Sequence, residues 1–399
     1  MIHAAVGVST HQNTARAALE AARQVLERLG DRRPDWCVAF VTDEHASYLE
    51  SLQESLTELL GTPYVVGCSA AGILACGREY EEGPALGLLA VHSDDLRATP
   101  FLFRDTGDHG LTAATRLGQR MHGSRDSRDL LVVWPDPYHV RPDRLLSGLD
   151  AVLPGTPVVG GAASAQTNGA TLQFCGTESA EAGVSGLRLG GRFCHAVSVT
   201  HGCAPLTEPM RATNTHENLI LELDGRPAFE VLREHAPDDL LEDLATAIHY
   251  LFVGMVPAGA ADDDYLIRNI VAADPDTGVV AISDRVDEGQ QVVFALRDRD
   301  TAKRDLVETL ERIRTNSGQD YRFGLYFNCL ARGHRLYREN GIDAAEIERA
   351  LPDVPILGFF CNAEIGPLNG ENRLFTYTGL LVLVGEEPAG APESSSGIT

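Results

Sequence analysis

From Ile2 to Gly160 the chain alternates short apolar runs with segments of helical period, and that alternation leaves few architectures open. Ile2–Val8, Trp36–Val41, Tyr64–Val66, Pro84–Val91 and Leu130–Trp134 are strand-like. Between them, Thr14–Leu29 places Ala18, Ala22, Val25, Leu26 and Leu29 on one helical face and stops at Gly30. Residues 45–60, 111–121 and 141–152 are read as further helices. Strands and helices alternating at this length predict an α/β fold. From about Thr171 the pattern changes to short strands separated by glycines, at 171–174, 184–189, 193–200 and 210–213, which read as antiparallel. Leu223-Asp-Gly-Arg226 carries a hairpin signal. Later helices are expected at 227–235, 239–250, 301–315 and 344–351, and later strands at 265–272, 291–296, 323–327, 356–357 and 374–384. The expected fold class is α/β with mixed parallel and antiparallel sheets flanked by helices. Two related modules are expected at residues 1–205 and 206–386, and residues 387–399, rich in Pro, Gly and Ser, are read as a disordered tail.

Composition removes several functions. Of 399 residues, 33 are Lys or Arg and 57 are Asp or Glu, giving a net charge of −24, which disfavours nucleic acid and anionic membrane as partners. Lys303 is the one lysine and follows Ala302, so a phosphate-binding Gly-Lys-Ser/Thr loop is absent. No Gly-x-Gly occurs, so the dinucleotide fingerprint is absent as well. The 8 cysteines form no Cys-x-x-Cys pair and read as reduced thiols of a cytoplasmic protein. No apolar stretch approaches a membrane span, and the N-terminus lacks a basic leader. Cys194-His195 and His201-x-Cys203 suggest a metal, but a strand over 193–200 would hold the two histidines roughly 20 Å apart. No metal and no cofactor are predicted.

Three segments echo one another: Thr62-Pro-Tyr-Val-Val-Gly67, Thr156-Pro-Val-Val-Gly160 and Val354-Pro-Ile-Leu-Gly358. Pro63 and Pro157 are 94 residues apart, and Pro157 and Pro355 are 198 apart. The pattern is either a common way to begin and end a core strand or the trace of a duplicated unit. On the second reading, the loops after Gly67, Gly160-Gly161 and Gly358 lie at strand carboxyl ends, where open α/β sheets bind ligands.

Candidate site residues gather in three stretches. Gly67-Cys68-Ser69-Ala70-Ala71-Gly72 reads as a strand-to-helix turn. It is open to three roles: a ligand-cradling loop, a catalytic nucleophile, or a turn alone. Tyr326-Phe-Asn-Cys-Leu-Ala-Arg-Gly-His334 ends a buried strand in Asn328 and Cys329 and sets Arg332 in the following turn. An arginine there can grip a carboxylate with two parallel hydrogen bonds. Gly358-Phe-Phe-Cys-Asn-Ala-Glu-Ile-Gly-Pro367 offers Phe360, Cys361, Asn362 and Glu364; if it is extended, Phe360, Asn362 and Glu364 share a face. Glu364 either takes an amine or hydroxyl of a ligand or pairs with Arg332 or Arg373.

These stretches, with Gly341-Ile-Asp-Ala-Ala-Glu346 and Asn218-Leu-Ile-Leu-Glu-Leu-Asp-Gly-Arg-Pro-Ala228, resemble the C-terminal module of the FIST family. Val65–Gly72 and Val158–Ser164 resemble its N-terminal module. The resemblance implies a sensory domain that binds a small ligand, with amino acids proposed, and a separate signalling protein as partner, since no output segment is recognised outside 1–386. On it, Arg332 is expected to hold a small carboxylate or amino-acid-like metabolite, with Glu364, Asn362, Asn328, Cys329, Phe360, Cys361, Cys68, Ser69, Gly160 and Gly161 around it. Alternatives are an enzyme of transferase or hydrolase type using Cys68, Cys329, Cys361 or Glu364, and a haem-linked gas sensor.

Overall fold

The computed structural model describes every residue except 105–107, 122–127, 168–169, 260–263, 317–318 and 388–399. The expected tail lies outside the described residues but for Glu387. The described chain forms two compact units, neither of them one of the two expected spans in chain order. The larger takes Met1–Thr200, Leu306–Leu374 and Thr378 onward; the smaller takes His201–Asp305 and Phe375–Tyr377.

The larger unit is one pattern written three times. The first repeat runs β1 (Ile2–Ser9), α1 (Thr14–Leu29), β2 (Trp36–Val41), α2 (Leu49–Leu60), β3 (Val65–Ser69), a hairpin of β4 (Ile73–Ala75) and β5 (Arg78–Tyr80), then β6 (Leu86–Ser93). The second runs β7 (Leu96–Phe103), α3 (Leu111–Met121), β8 (Leu130–Pro135), α4 (Pro142–Val152), β9 (Val158–Gly161), β10 (Gln173–Cys175), β11 (Glu178–Ala180) and β12 (Val184–Gly191). The third begins with β13 (Cys194–His201) and resumes with α5 (Arg299–Asn316), β14 (Asp320–Cys329), α6 (Ile342–Ala350), β15 (Ile356–Cys361), β16 (Glu364–Leu368), β17 (Glu371–Phe375) and β18 (Thr378–Glu386). The smaller unit is inserted in sequence between β13 and the body of α5. Taking its 105 residues (201–305) out of the 198-residue interval leaves 93, one short of the first interval. The echo in the sequence is therefore a threefold repeat with one insertion.

Each repeat builds the same sheet: β1-β6-β2-β3, β7-β12-β8-β9 and β13-β18-β14-β15. In each, the last two strands are parallel, with Ala39 opposite Gly67, Val133 opposite Gly160 and Tyr326 opposite Gly358. The glycine is required by a close approach. A Cβ at these three positions would lie 1.7, 1.9 and 2.4 Å from the facing carbonyl oxygen of Ala39, Val133 and Tyr326. Each sheet is completed by a hairpin from another repeat. β10-β11 extends the first sheet at β3, β16-β17 the second at β9, and β4-β5 the third at β15.

The amphipathic helices cover these sheets as their periodicity requires: Ala17, Ala18, Ala21, Ala22 and Val25 of α1 and Leu52 and Leu56 of α2 are buried against the first sheet. Phe40, Trp134 and Phe327, each following the strand residue that faces the glycine, form with Phe359 an aromatic centre. Ring centroids are 5.4 Å apart for Phe40–Trp134 and 4.4 Å for Phe40–Phe359.

The smaller unit is an antiparallel sheet that closes on itself. Strands 210–216, 219–223, 279–282, 266–274 and 251–256 follow one another, and 291–297 pairs with both 210–216 and 251–256. Helix Ala228–His235 covers it with Phe229, Val231 and Leu232.

Several expectations are corrected. Gly67–Gly72 is not a strand-to-helix turn: β3 runs through Ser69 and the chain enters the hairpin strand β4, so no helix N-terminus stands behind Cys68. The helix expected over 45–60 is broken after Ala46, and the one over 239–250 is two single turns, Asp238–Leu241 and Leu244–Ala247. Strands 96–103 and 251–256 carried no alternation clear enough to read. Residues 358–364 are not one extended run, because β15 ends at Cys361 and β16 begins at Glu364. No described helix is long and apolar enough to cross a membrane.

Candidate functional site

The strand carboxyl ends of the three repeats meet in the larger unit, and the residues singled out in the sequence lie there: Cys68 and Ser69 end β3 of the first sheet, Gly160 and Gly161 end β9 of the second, Glu364 opens β16 beside β9, and Asn328, Cys329, Phe360 and Cys361 end β14 and β15 of the third. Asn328 and Cys329 are consecutive on β14, so they point to opposite sides.

On the Cys329 side stands Glu364, fully buried. Its hairpin position, opposite Gly161, is the counterpart of Ile73 opposite Phe359 and Gln173 opposite Cys68. Its carboxyl accepts from the Cys361 thiol at 3.3 Å, from Thr378 Oγ1 at 2.5 Å and from Thr378 N at 3.2 Å. The Cys329 thiol bonds it as well. Burial outweighs these bonds and pushes Glu364 up to about 7. Glu364 pairs with neither proposed arginine; Arg373 pairs with Glu371 and Arg332 with Asp343. Burial also pushes the Cys68 and Cys361 thiols well up. Gly161 carries no side chain because a Cβ there would lie 2.9 Å from Cys361 Sγ, and Gly160 combines its close approach with φ +151. Two hydroxyls knit the repeats: Ser69 Oγ donates to Ser164 O at 3.0 Å, and Ser164 Oγ donates to Phe360 O while accepting from Ala71 N. Asn362 Nδ2 donates to Ala163 O at 2.7 Å. Ser69, Gly160, Gly161 and Asn362 thus hold strand ends together.

On the Asn328 side lies Arg332, 1% exposed. Its Nε and Nη2 donate to Asp343 Oδ2 and Oδ1, each at 3.0 Å, and Nη2 also reaches Tyr337 Oη at 2.8 Å. Tyr337 and Tyr326 hydroxyls donate to the same carboxylate at 2.7 and 3.2 Å. Burial alone would raise Asp343; the Arg332 charge and these four hydrogen bonds more than offset it and hold the carboxyl below its usual range. The expectation that Arg332 grips a ligand's carboxylate with its two-pronged face is therefore corrected: that face is closed on Asp343. Its Nη1 is buried and has no partner.

Asn328 is fully buried, and neither atom of its amide has a partner. The parallel register puts Phe360 beside it, and Phe360 packs toward Gly72 and Gly333. Glu79 and Glu81, from the exchanged hairpin and its end, close the rim. Glu79 accepts from Gly341 N and Ala344 N and is pushed by burial, then by the Asp343 charge, to about 7. Glu81 accepts from His334 N at 2.9 Å. After Arg332 the chain makes a single helical turn, His334–Tyr337, and Arg338 lies beyond it at φ +60.

Sequence reasoning missed Asp343, Tyr337, Thr378 and Ser164. Asp343 sits in the first turn of α6, where acids are ordinary caps; a signal was its place beside Ala344 and Ile347, in the buried stripe of that helix.

Residues 35–226 match the FIST N domain and residues 228–367 the FIST C domain. An uncharacterized protein of Mycobacterium tuberculosis, Rv0628c, is 34% identical over 388 residues, 95% of this chain and 98% of that one. An uncharacterized protein of Mycobacterium bovis, Mb0898c, is 32% identical over 383 residues, 95% and 97% of the two chains. F-box only protein 22 of Pongo abelii is 30% identical over 92 residues, 23% of each chain. Among solved structures, two cyanuric acid hydrolases resemble this chain at TM-scores of 0.27 and 0.35 with 8% and 10% identity; the first covers 48% of this chain and 72% of its own, the second 97% and 100%. Likenesses so slight bear on neither fold nor activity. FIST domains are recognised as sensory domains that bind small ligands. By these matches and by full-length relatives, the chain belongs to the FIST family, with both the FIST N and the FIST C domain.

Proposed function

We propose that this protein is a sensory protein that binds a small amino-acid-like metabolite or carboxylate at the carboxyl end of β14. The Asn328 amide and Arg332 Nη1 take its polar groups, and Phe360 packs beside it. One observation carries the reading. A buried amide with both atoms unpartnered costs several kcal/mol if nothing satisfies it (about 1–3 per group). The equivalent positions of the other two repeats, Val41 opposite Ser69 and Pro135 before Asp136, are apolar. The fold thus works without an amide here, and the third repeat keeps one that the chain leaves open. An acceptor oxygen of the ligand meets Arg332 Nη1, and Asp343 keeps the guanidinium oriented. The proposed sensor works in the cytoplasm, passes its signal to a separate protein, and has no resident cofactor.

The test is a thermal-shift and calorimetric screen of amino acids and small carboxylates on wild-type protein and the Asn328→Val variant. At least one compound is expected to stabilise the wild type and to leave the folded variant unmoved. Equal shifts in both proteins, or none in the wild type across the screen, overturn the reading.

A further inference from the structure

The ligand reading uses one face of β14; the other carries a different chemistry. Cys329 and Cys361 are register partners on neighbouring parallel strands. Such strands lie about 4.7–4.9 Å apart, inside the Cα–Cα range that a disulfide spans. Both thiols bond one buried carboxyl, that of Glu364, and Thr378 fixes that carboxyl from its far side. Cys68 adds a third thiol within electrostatic reach of Cys361. At the hairpin position that Glu364 occupies, the other repeats carry Ile73 and Gln173, and where the third has Cys329 they have Thr42 and Asp136. Among the described residues at these positions, the third repeat alone sets two thiols against a carboxyl.

We propose that Cys361 and Cys329 form a redox-active dithiol that reduces small hydroperoxides, with Glu364 as the proton carrier. The inference stands independently of the ligand site. In the first step the Cys361 thiol gives its proton to Glu364. Its sulfur attacks the terminal peroxide oxygen, the O–O bond breaks, and Cys361 becomes a sulfenic acid. The departing alkoxide takes the proton back and leaves as the alcohol. In the second step Cys329 gives its proton to Glu364 and its sulfur attacks Cys361 sulfur. The S–O bond breaks, the S–S bond forms, and hydroxide leaves with that proton as water. Two thiols lose two electrons and the hydroperoxide gains them; a small dithiol restores the pair. Burial holds the Cys361 thiol protonated at rest, so a carboxylate in contact with it is what starts the reaction.

The test uses full-length protein carrying Cys76→Ser, which removes the exposed thiol, treated with hydrogen peroxide and mapped by mass spectrometry. A disulfide between Cys329 and Cys361 is expected, and Glu364→Gln is expected to form it at least roughly tenfold more slowly. With Cys329→Ser added, Cys361 is expected to accumulate as a sulfenic acid trapped by dimedone; with Cys361→Ser added, no trapped adduct forms at residue 329. A disulfide between other cysteines, unreacted thiols in the folded protein, or dimedone labelling unaffected by Cys361→Ser overturns the proposal. The serine pair keeps the test decisive if Glu364→Gln fails to fold.

Discussion

Asn328→Val puts into the third repeat the residue that the first repeat already tolerates at Val41. Because it removes two unpartnered buried atoms, it is expected to raise the ligand-free stability by about 1–3 kcal/mol in urea titration, the reverse of most core substitutions. The neighbouring pair behaves oppositely. Asp343→Asn leaves Arg332 charged and buried without its counterion, and a loss of about 3–5 kcal/mol is expected by the same titration. Glu364 adds a pH dependence. Its carboxyl rises from near 4.5 unfolded to about 7 folded. Below both values the group is protonated in either state and costs nothing. As pH rises through 4.5 the unfolded chain ionises first, so stability falls until about pH 7 and then levels. A shift of this size amounts to roughly 3 kcal/mol. Glu364→Gln is expected to gain that margin over wild type between pH 5 and pH 7; parallel pH profiles would contradict it.

At the scale of elements, the glycine facing each parallel partner is expected to be intolerant. Gly67→Ala drives a Cβ onto the Ala39 carbonyl, whereas Gly30→Ala, at a helix end with open space around it, strains only its backbone. Thermal melts are expected to show a loss of several kcal/mol for the first and about 1 kcal/mol for the second. These elements also show what a sequence reveals. Helix α1 and strand β2 were legible to the residue, because periodicity and Gly30 mark a surface helix and six apolar residues mark a buried strand. All three echoing segments were legible, but the even spacing that would mark them as a threefold repeat was masked by an insertion that falls inside the third. Strand β7 alternates only partly and was unread. Cys68, Cys329 and Cys361 were legible as strand-end residues because each closes an apolar run, and Glu364 because a carboxylate stands among the aromatic, thiol and amide groups that follow a core strand. The use of Arg332 was not, because its partner Asp343 comes from a helix eleven residues on, and no local pattern reports a tertiary ion pair.

At the scale of the molecule, two compact units with separate cores are expected to unfold in two calorimetric transitions. A single transition whose calorimetric and van't Hoff enthalpies agree would show them to be one cooperative body. The exchange of hairpins has a different consequence. Because each repeat lends two strands to a neighbour and borrows two from the other, the larger unit is a closed cycle in which no repeat is first. The backbone closes it too: Ile2 N donates to Glu386 Oε1 at 2.6 Å, bringing the first strand and the last together. Which repeat comes first along the chain is then arbitrary. A circular permutant joined through the present ends and opened at Asp94-Asp95, between the first and second repeats, is expected to refold with native spectra and thermal stability, its starting strand renamed and its architecture unchanged.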